Sequence, residues 1–200
     1  MRLLGAAEAL REGGRCQEAE PIQRQVLQIR RRVLPPDDYD NFDAVGTLAQ
    51  ILMYTGALAE AERCFRECLA GLQRTGRSNT VIEITCVKEI ALARLQQGDP
   101  IGAENLLAQV LPRAKTFLGA DAIMTLMIQR ALARVFAEEG RLDKAEALCK
   151  EALDTRNRSK AREEAYGTAR TQLTLGRVLV EMGKLDEAQP VLQDALRFFR

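Results

Sequence analysis

Two hundred residues with 46% hydrophobic content are enough to bury a core, which excludes a disordered chain. Aromatics are only 4% and tryptophan is absent, so closely packed helices are expected rather than a sheet. The 29 basic and 28 acidic residues leave a formal net charge of +1, so no global field draws the chain to nucleic acid or to a membrane surface.

Along the chain, small and apolar residues recur at spacings of three and four in paired runs, and a glycine separates the two runs of each pair. The first pair, residues 1–39, carries Ala6 and Ala7 before Gly14, then Ala19, Glu20 and Leu27 after it. The second, residues 40–77, repeats this with Leu48 and Ala49, Gly56, Ala61, Glu62 and Leu69. The third, residues 78–119, has Ile90 and Ala91, Gly98, Ala103, Glu104 and Leu111; here Asp99 is placed to cap the second helix, and Pro100 suits its first turn. The fourth, residues 120–159, has Leu132 and Ala133, Gly140, Ala145, Glu146 and Leu153. The fifth, residues 160–200, has Leu175 and Gly176, Gly183, Ala188, Gln189 and Leu196. Between pairs, VLPPDDYD (33–40), RTGRSN (74–79) and FLGADA (117–122) read as loops.

Successive turn glycines stand 42, 42, 42 and 43 residues apart, so five in-phase units fill the chain. Each glycine is read as the turn, because it reaches left-handed backbone angles without steric cost. The alanine five residues later lets the paired helices approach closely, and a larger side chain there would push them apart. The acid that follows is read as an early-helix charge favoured by the helix dipole. The expectation is a single all-α domain of ten antiparallel helices, a right-handed superhelical α-solenoid of five helix-turn-helix units.

With this 42-residue period and its GxxxxAE core, the chain resembles the tetratricopeptide repeat proteins, whose usual unit is about 34 residues. The longer period is similar to that of the kinesin light chain subgroup. Two departures stand out: the His-Pro pair that often opens units of that subgroup is missing, with FLGADA the nearest remnant, and Gly46 and Thr47, Lys88 and Glu89, or Arg130 and Ala131 replace asparagines often found there. The scaffold therefore transfers, and the subgroup's ligand preference does not. What the resemblance implies is a protein interaction scaffold that holds a partner peptide or helix in the concave groove. In that family the first helix of each pair lines the groove, which places Lys88, Arg130, Arg134, Arg170 and Arg177 on it, with Glu89, Glu138 and Glu181 nearby to offset part of the charge. Arg130 and Arg134 are four apart and share a helical face. Such cations suit an acidic or phosphorylated segment, since arginine grips paired oxygens bidentately. Should the cations serve only as paired surface charges, recognition falls to apolar groove positions such as Met53, Leu92, Leu95 and Met127.

Other classes find little support. The chain has no histidine, no GxSxG and no GxxxxGK[ST], so catalysis is not expected. Cys16, Cys64, Cys68, Cys86 and Cys149 form an odd set without a CxxC pair, and are read as reduced, buried small residues; no cofactor and no metal is expected. The basic runs RRRV (30–33) and RNRSKAR (156–162) lack interleaved aromatics, which leaves RNA binding a minor alternative. No run approaches the roughly 18 apolar residues that span a bilayer, and MRLLGAAEALREGG is too short and too soon charged for a secretory leader, so a soluble cytoplasmic protein is expected. At LRFFR, Phe198 and Phe199 follow the last helix with nothing after them to cover its apolar face, so the chain is read either as a piece of a longer array in a larger signalling or regulatory protein, or as a homo-oligomer joined through its C-terminal helix.

Overall fold

The computed structural model describes residues 2–76, 80–158 and 165–199. Ten α-helices account for nearly all of them: α1 (Arg2–Glu12), α2 (Cys16–Val33), α3 (Tyr39–Thr55), α4 (Leu58–Arg74), α5 (Thr80–Gln96), α6 (Pro100–Phe117), α7 (Ile123–Glu138), α8 (Leu142–Arg158), α9 (Ala165–Glu181) and α10 (Leu185–Phe198). No strand occurs among the described residues. The fold is an all-α helical repeat of the solenoid type, as the 42-residue period predicts.

All five turn glycines adopt left-handed angles, with φ between 71° at Gly140 and 85° at Gly56. No described non-glycine residue does so. The helix starts follow the local chemistry. Asp99 Oδ1 accepts from the Gly102 amide at 2.8 Å with Pro100 in the first turn of α6, and Asp38 Oδ1 accepts from the Asp40 amide at 2.9 Å ahead of α3. The expected loops are shorter than the stretches quoted for them: Val33 still belongs to α2, Tyr39 and Asp40 open α3, Arg74 closes α4 and Phe117 closes α6. Arg77 to Asn79 of RTGRSN and Ser159 to Arg162 of RNRSKAR lie outside the described residues.

The helices group into two compact units, Met1–Gly98 and Asp99–Arg200. In the first, α1 to α5 pack each on the next, and α3 also meets α5. In the second, α6 to α10 do the same, and α7 also meets α9. The alanines five residues after the turn glycines are all buried, the most exposed being Ala188 at 2%. Around Ala145 and Ala188 in the second unit gather Ala133, Cys149, Leu175 and Leu179, with Leu192 against them. Two helical glycines mark backbone approaches closer still. A Cβ on Gly176 of α9 would stand 2.3 Å from Leu192 Cδ2 of α10, and one on Gly71 of α4 would stand 2.0 Å from the Phe42 ring of α3.

Ion pairs follow the repeat, and most of the described pairs that join one unit to the next have partners 32 to 38 residues apart in the chain. Arg24 and Lys150 both lie ten residues after their turn glycines, and they reach Glu60 and Glu187, each four residues after the next glycine. Arg31 and Lys115, both seventeen residues after a glycine, reach Glu67 and Glu151, each eleven after the next. The recurrent acids belong to the same pattern. Glu104 takes Arg141 at 2.7 Å, and Glu146 takes Lys150 at 2.6 Å and Lys184 at 2.7 Å. Burial works against the charge on Glu62, yet the Arg66 and Arg94 guanidiniums outweigh it and hold that carboxyl below its ordinary value. The helix dipole is thus only part of the role of these acids; they also tie consecutive units together. Each exposed pair contributes at most about 1 kcal/mol, so the ladder sets register more than stability.

Candidate basic site on helices α7 and α9

Helices α7 and α9 lie side by side in the second unit. Arg134 of α7 is the centre of the charge cluster. It is half-buried, and no described residue gives it a hydrogen bond or an ion pair. Burial pushes its guanidinium below the ordinary arginine value, and the Arg177 and Arg170 charges push the same way while Glu138 opposes them. Three guanidiniums from two helices therefore act on one another with only a partial counter-charge.

The neighbours of that centre are more tied down. Arg177 of α9 reaches across to Glu138 at 3.1 Å and along its own helix to Glu181 at 3.3 Å. Arg170 donates to the Tyr166 hydroxyl at 3.0 Å and lies 5.6 Å from the centre of that ring. Arg130, one turn before Arg134 on α7, is half-buried and borders a small pocket with Met127, Leu153, Arg156 and Thr171. Its charge also acts on the Cys149 thiol, which burial pushes up to about 12.

Lys88 departs from the expected site. It lies in the first unit, its side chain is 3% exposed, and its ammonium is held by Glu89 at 2.6 Å. A buried cation needs a counter-charge in contact, and the adjacent carboxylate supplies it, so Lys88 presents no free charge. The acids anticipated near the site do engage the cations: Glu89 takes Lys88, and Glu138 and Glu181 take Arg177. Sequence reasoning missed Tyr166, which orients Arg170 and packs on both C-terminal aromatics, with its ring centre 6.1 Å from those of Phe198 and of Phe199. The four-residue spacing from Tyr166 to Arg170 was the available signal. Phe198 and Phe199 themselves stack edge to face at 5.1 Å and remain 43% and 47% exposed.

All five cysteines are free; Cys64 is half-buried and the others are buried. Among the described residues no group of three His, Cys, Asp or Glu side chains is placed to hold a metal, and no helix is long and apolar enough to cross a membrane.

Comparison with known proteins agrees with this architecture. The family model of the tetratricopeptide repeat matches residues 1–74, 83–158 and 124–200. Among solved structures, the nearly identical TPR-like repeats assigned to kinesin light chain of Podosopora anserina superpose with a TM-score of 0.76 at 23% identity, over 98% of this chain and 92% of that one. BtubC (BKLC) of P. vanneervenii gives a TM-score of 0.80 at 19% identity, over 98% of this chain and 77% of that one. The apo form of the quorum sensor NprR of B. thuringiensis gives 0.80 at 13% identity, over 98% of this chain and 52% of that sensor. No curated protein matches the sequence. At these identities the solved structures speak to the fold, and it is the family model, matching nearly every residue in three stretches of which the last two overlap, that shows the chain to belong to the tetratricopeptide repeat family of protein-interaction repeats, with repeats resembling those of kinesin light chain.

Proposed function

We propose that the face shared by α7 and α9 binds an acidic or phosphorylated segment of a partner protein, with Arg134 as its centre and Arg130, Arg170 and Arg177 around it. The observation that carries this reading is the half-buried Arg134 guanidinium, pressed by two like charges and without a described carboxylate in contact. A carboxylate or phosphate arriving there relieves repulsion already present in the free protein, and arginine offers it two parallel N–H donors. Glu138 and Glu181 hold part of the Arg177 charge, so the incoming segment competes with them and binding weakens as salt rises.

The test is fluorescence anisotropy with a labelled Glu-rich peptide carrying one phosphoserine. Arg130→Glu with Arg134→Glu is expected to weaken binding by about a hundredfold, the scale of losing buried charge contacts. Circular dichroism and melting temperature should stay unchanged, since a carboxylate at position 134 lies within the field of Arg170 and Arg177. Equal affinity of wild type and double mutant at physiological salt overturns the basic site and moves recognition to apolar positions such as Met127.

A second reading, self-association through α10, is favoured by the exposed cluster of Tyr166, Phe198 and Phe199. Sedimentation velocity is expected to show concentration-dependent association that Phe198→Ser with Phe199→Ser removes. A wild type that stays monomeric at high concentration rules this reading out.

A further inference from the structure

In a stack of helix pairs each pair covers part of the one before it, so a given repeat position has the same burial throughout unless its neighbour is missing. Ten and three residues before the turn glycine, α3, α5 and α7 carry residues that are partly or fully buried, whereas the same positions on α9, Leu173 and Val180, are 37% and 46% exposed. Thirteen residues after the glycine, Leu27 and Leu111 are buried and Leu69 and Leu153 half-buried, whereas Leu196 of α10 is 50% exposed. The first pair shows the complementary loss. Eight and five residues before the glycine, α3, α5, α7 and α9 all bury an apolar residue, and α1 leaves Ala6 and Ala9 exposed. The face that α1 would set against a preceding pair is thus shallow and apolar, and the face that α9 and α10 would set against a following pair is apolar and projecting.

We propose that α1 and α2 of a second copy stack on α9 and α10, so that the repeat continues from one copy into the next. This rests on the self-association reading and gives it a head-to-tail geometry, in which each added copy leaves both kinds of end free and growth passes beyond the dimer. The charges support a second copy as the occupant, because the ion-pair ladder is broken off at both ends in matching fashion. Gln189 stands where Glu20, Glu62, Glu104 and Glu146 stand in the other pairs, and Gln193 stands where Arg24 and Lys150 stand. The positions that would answer them on the first pair hold Arg15 and Glu18, which neutralise each other at 2.6 Å. Neither rung sets like charges against each other. Glu8, six residues before its glycine, holds the place of Arg177, which reaches back to Glu138 of α7 at 3.1 Å. By the same symmetry Glu8 of a second copy lies beside Arg177 and Glu181 of α9. Arg177, paired with Glu181 at 3.3 Å, then stands between two carboxylates as it already does between Glu138 and Glu181.

Sedimentation velocity of the full chain is expected to show species larger than a dimer as concentration rises. Ala6→Glu with Ala9→Glu blocks one end, and Leu173→Glu with Val180→Glu blocks the other; all four positions are exposed, and circular dichroism checks that both variants fold. Each variant alone is expected to stay monomeric. Mixed in equal amounts they are expected to give a 1:1 dimer and nothing larger, since each supplies the end that the other lacks. Should a double variant unfold, Glu8→Arg alone is read in its place, with association expected to weaken about tenfold. A wild type that stays monomeric at high concentration removes this inference together with the reading it rests on. Association that survives Ala6→Glu with Ala9→Glu, or Glu8→Arg, yet is lost in Phe198→Ser with Phe199→Ser, overturns the head-to-tail geometry alone and leaves a symmetric contact through α10. A mixture of folded variants that stays monomeric overturns it as well.

Discussion

Replacing Gly71 with alanine is expected to destabilise the chain by about 1–3 kcal/mol, the usual cost of overpacking a filled site. The sign is the informative part. In an open position within a helix, glycine to alanine stabilises by about 1 kcal/mol, because alanine loses less backbone freedom on folding. At Gly71 the added Cβ would stand 2.0 Å from Phe42 Cε1 and 2.5 Å from its Cζ. Phe42 is itself buried, so its ring must be displaced from its packed position, or α3 must move off α4, to make room. Gly46, on α3, supplies the comparison, since a Cβ there meets nothing within 4 Å. Urea unfolding of Gly71→Ala and Gly46→Ala should therefore give midpoints shifted in opposite directions. Two upward shifts would mean that the Phe42 ring yields freely and that the helix pair is not held at contact distance.

Ala145→Leu, and its counterpart Ala61→Leu in the first unit, should each destabilise by about 1–3 kcal/mol. Both alanines are fully buried at the point where the second helix of a pair crosses the first. Around Ala145 the available space is already taken by Ala133, Ala137, Leu175 and Val178, so three more carbons have no void to fill. The cost then appears as separation of α7 from α8, and it shows as a lower melting temperature. Ala147, two residues further along α8 and exposed, is the control: leucine there should change stability by less than about 0.5 kcal/mol. If Ala145→Leu and Ala147→Leu melt together, the alanine is not a packing constraint and its recurrence needs another cause.

These two tests also separate what each level of description supplied. The turn glycines and the alanines five residues after them were legible in the chain, because their roles depend on local geometry that recurs in every unit. A left-handed angle admits glycine at little cost, and a close helix crossing admits alanine, so each leaves a residue type at a fixed spacing. The cap at Asp99 was legible for the same reason, since an accepting side chain three residues from its donor amide needs no knowledge of the fold. Gly71 was not legible. Its constraint comes from Phe42, 29 residues earlier, and nothing in the sequence of α4 distinguishes it from an ordinary helical glycine.

The candidate site divides along the same line. That Arg130 and Arg134 share one face follows from helical period alone, and so does their placement on the first helix of a pair. Which charges remain uncompensated was decided by tertiary contacts. Lys88 and Arg134 look alike in a list of cations, but the first is buried against Glu89, and the second sits half-buried between Arg170 and Arg177 with Glu138 already drawn to Arg177. Tyr166 entered only because α10 brings Phe198 and Phe199 back onto α9. The sequence by itself determined the repeat, its period and three of the loops between units to within a residue or two, because these rest on interactions between residues near one another in the chain. The tertiary structure decided which side chains meet across 20 to 40 residues, and therefore which charges cancel, because those outcomes depend on the packing of one helix against another.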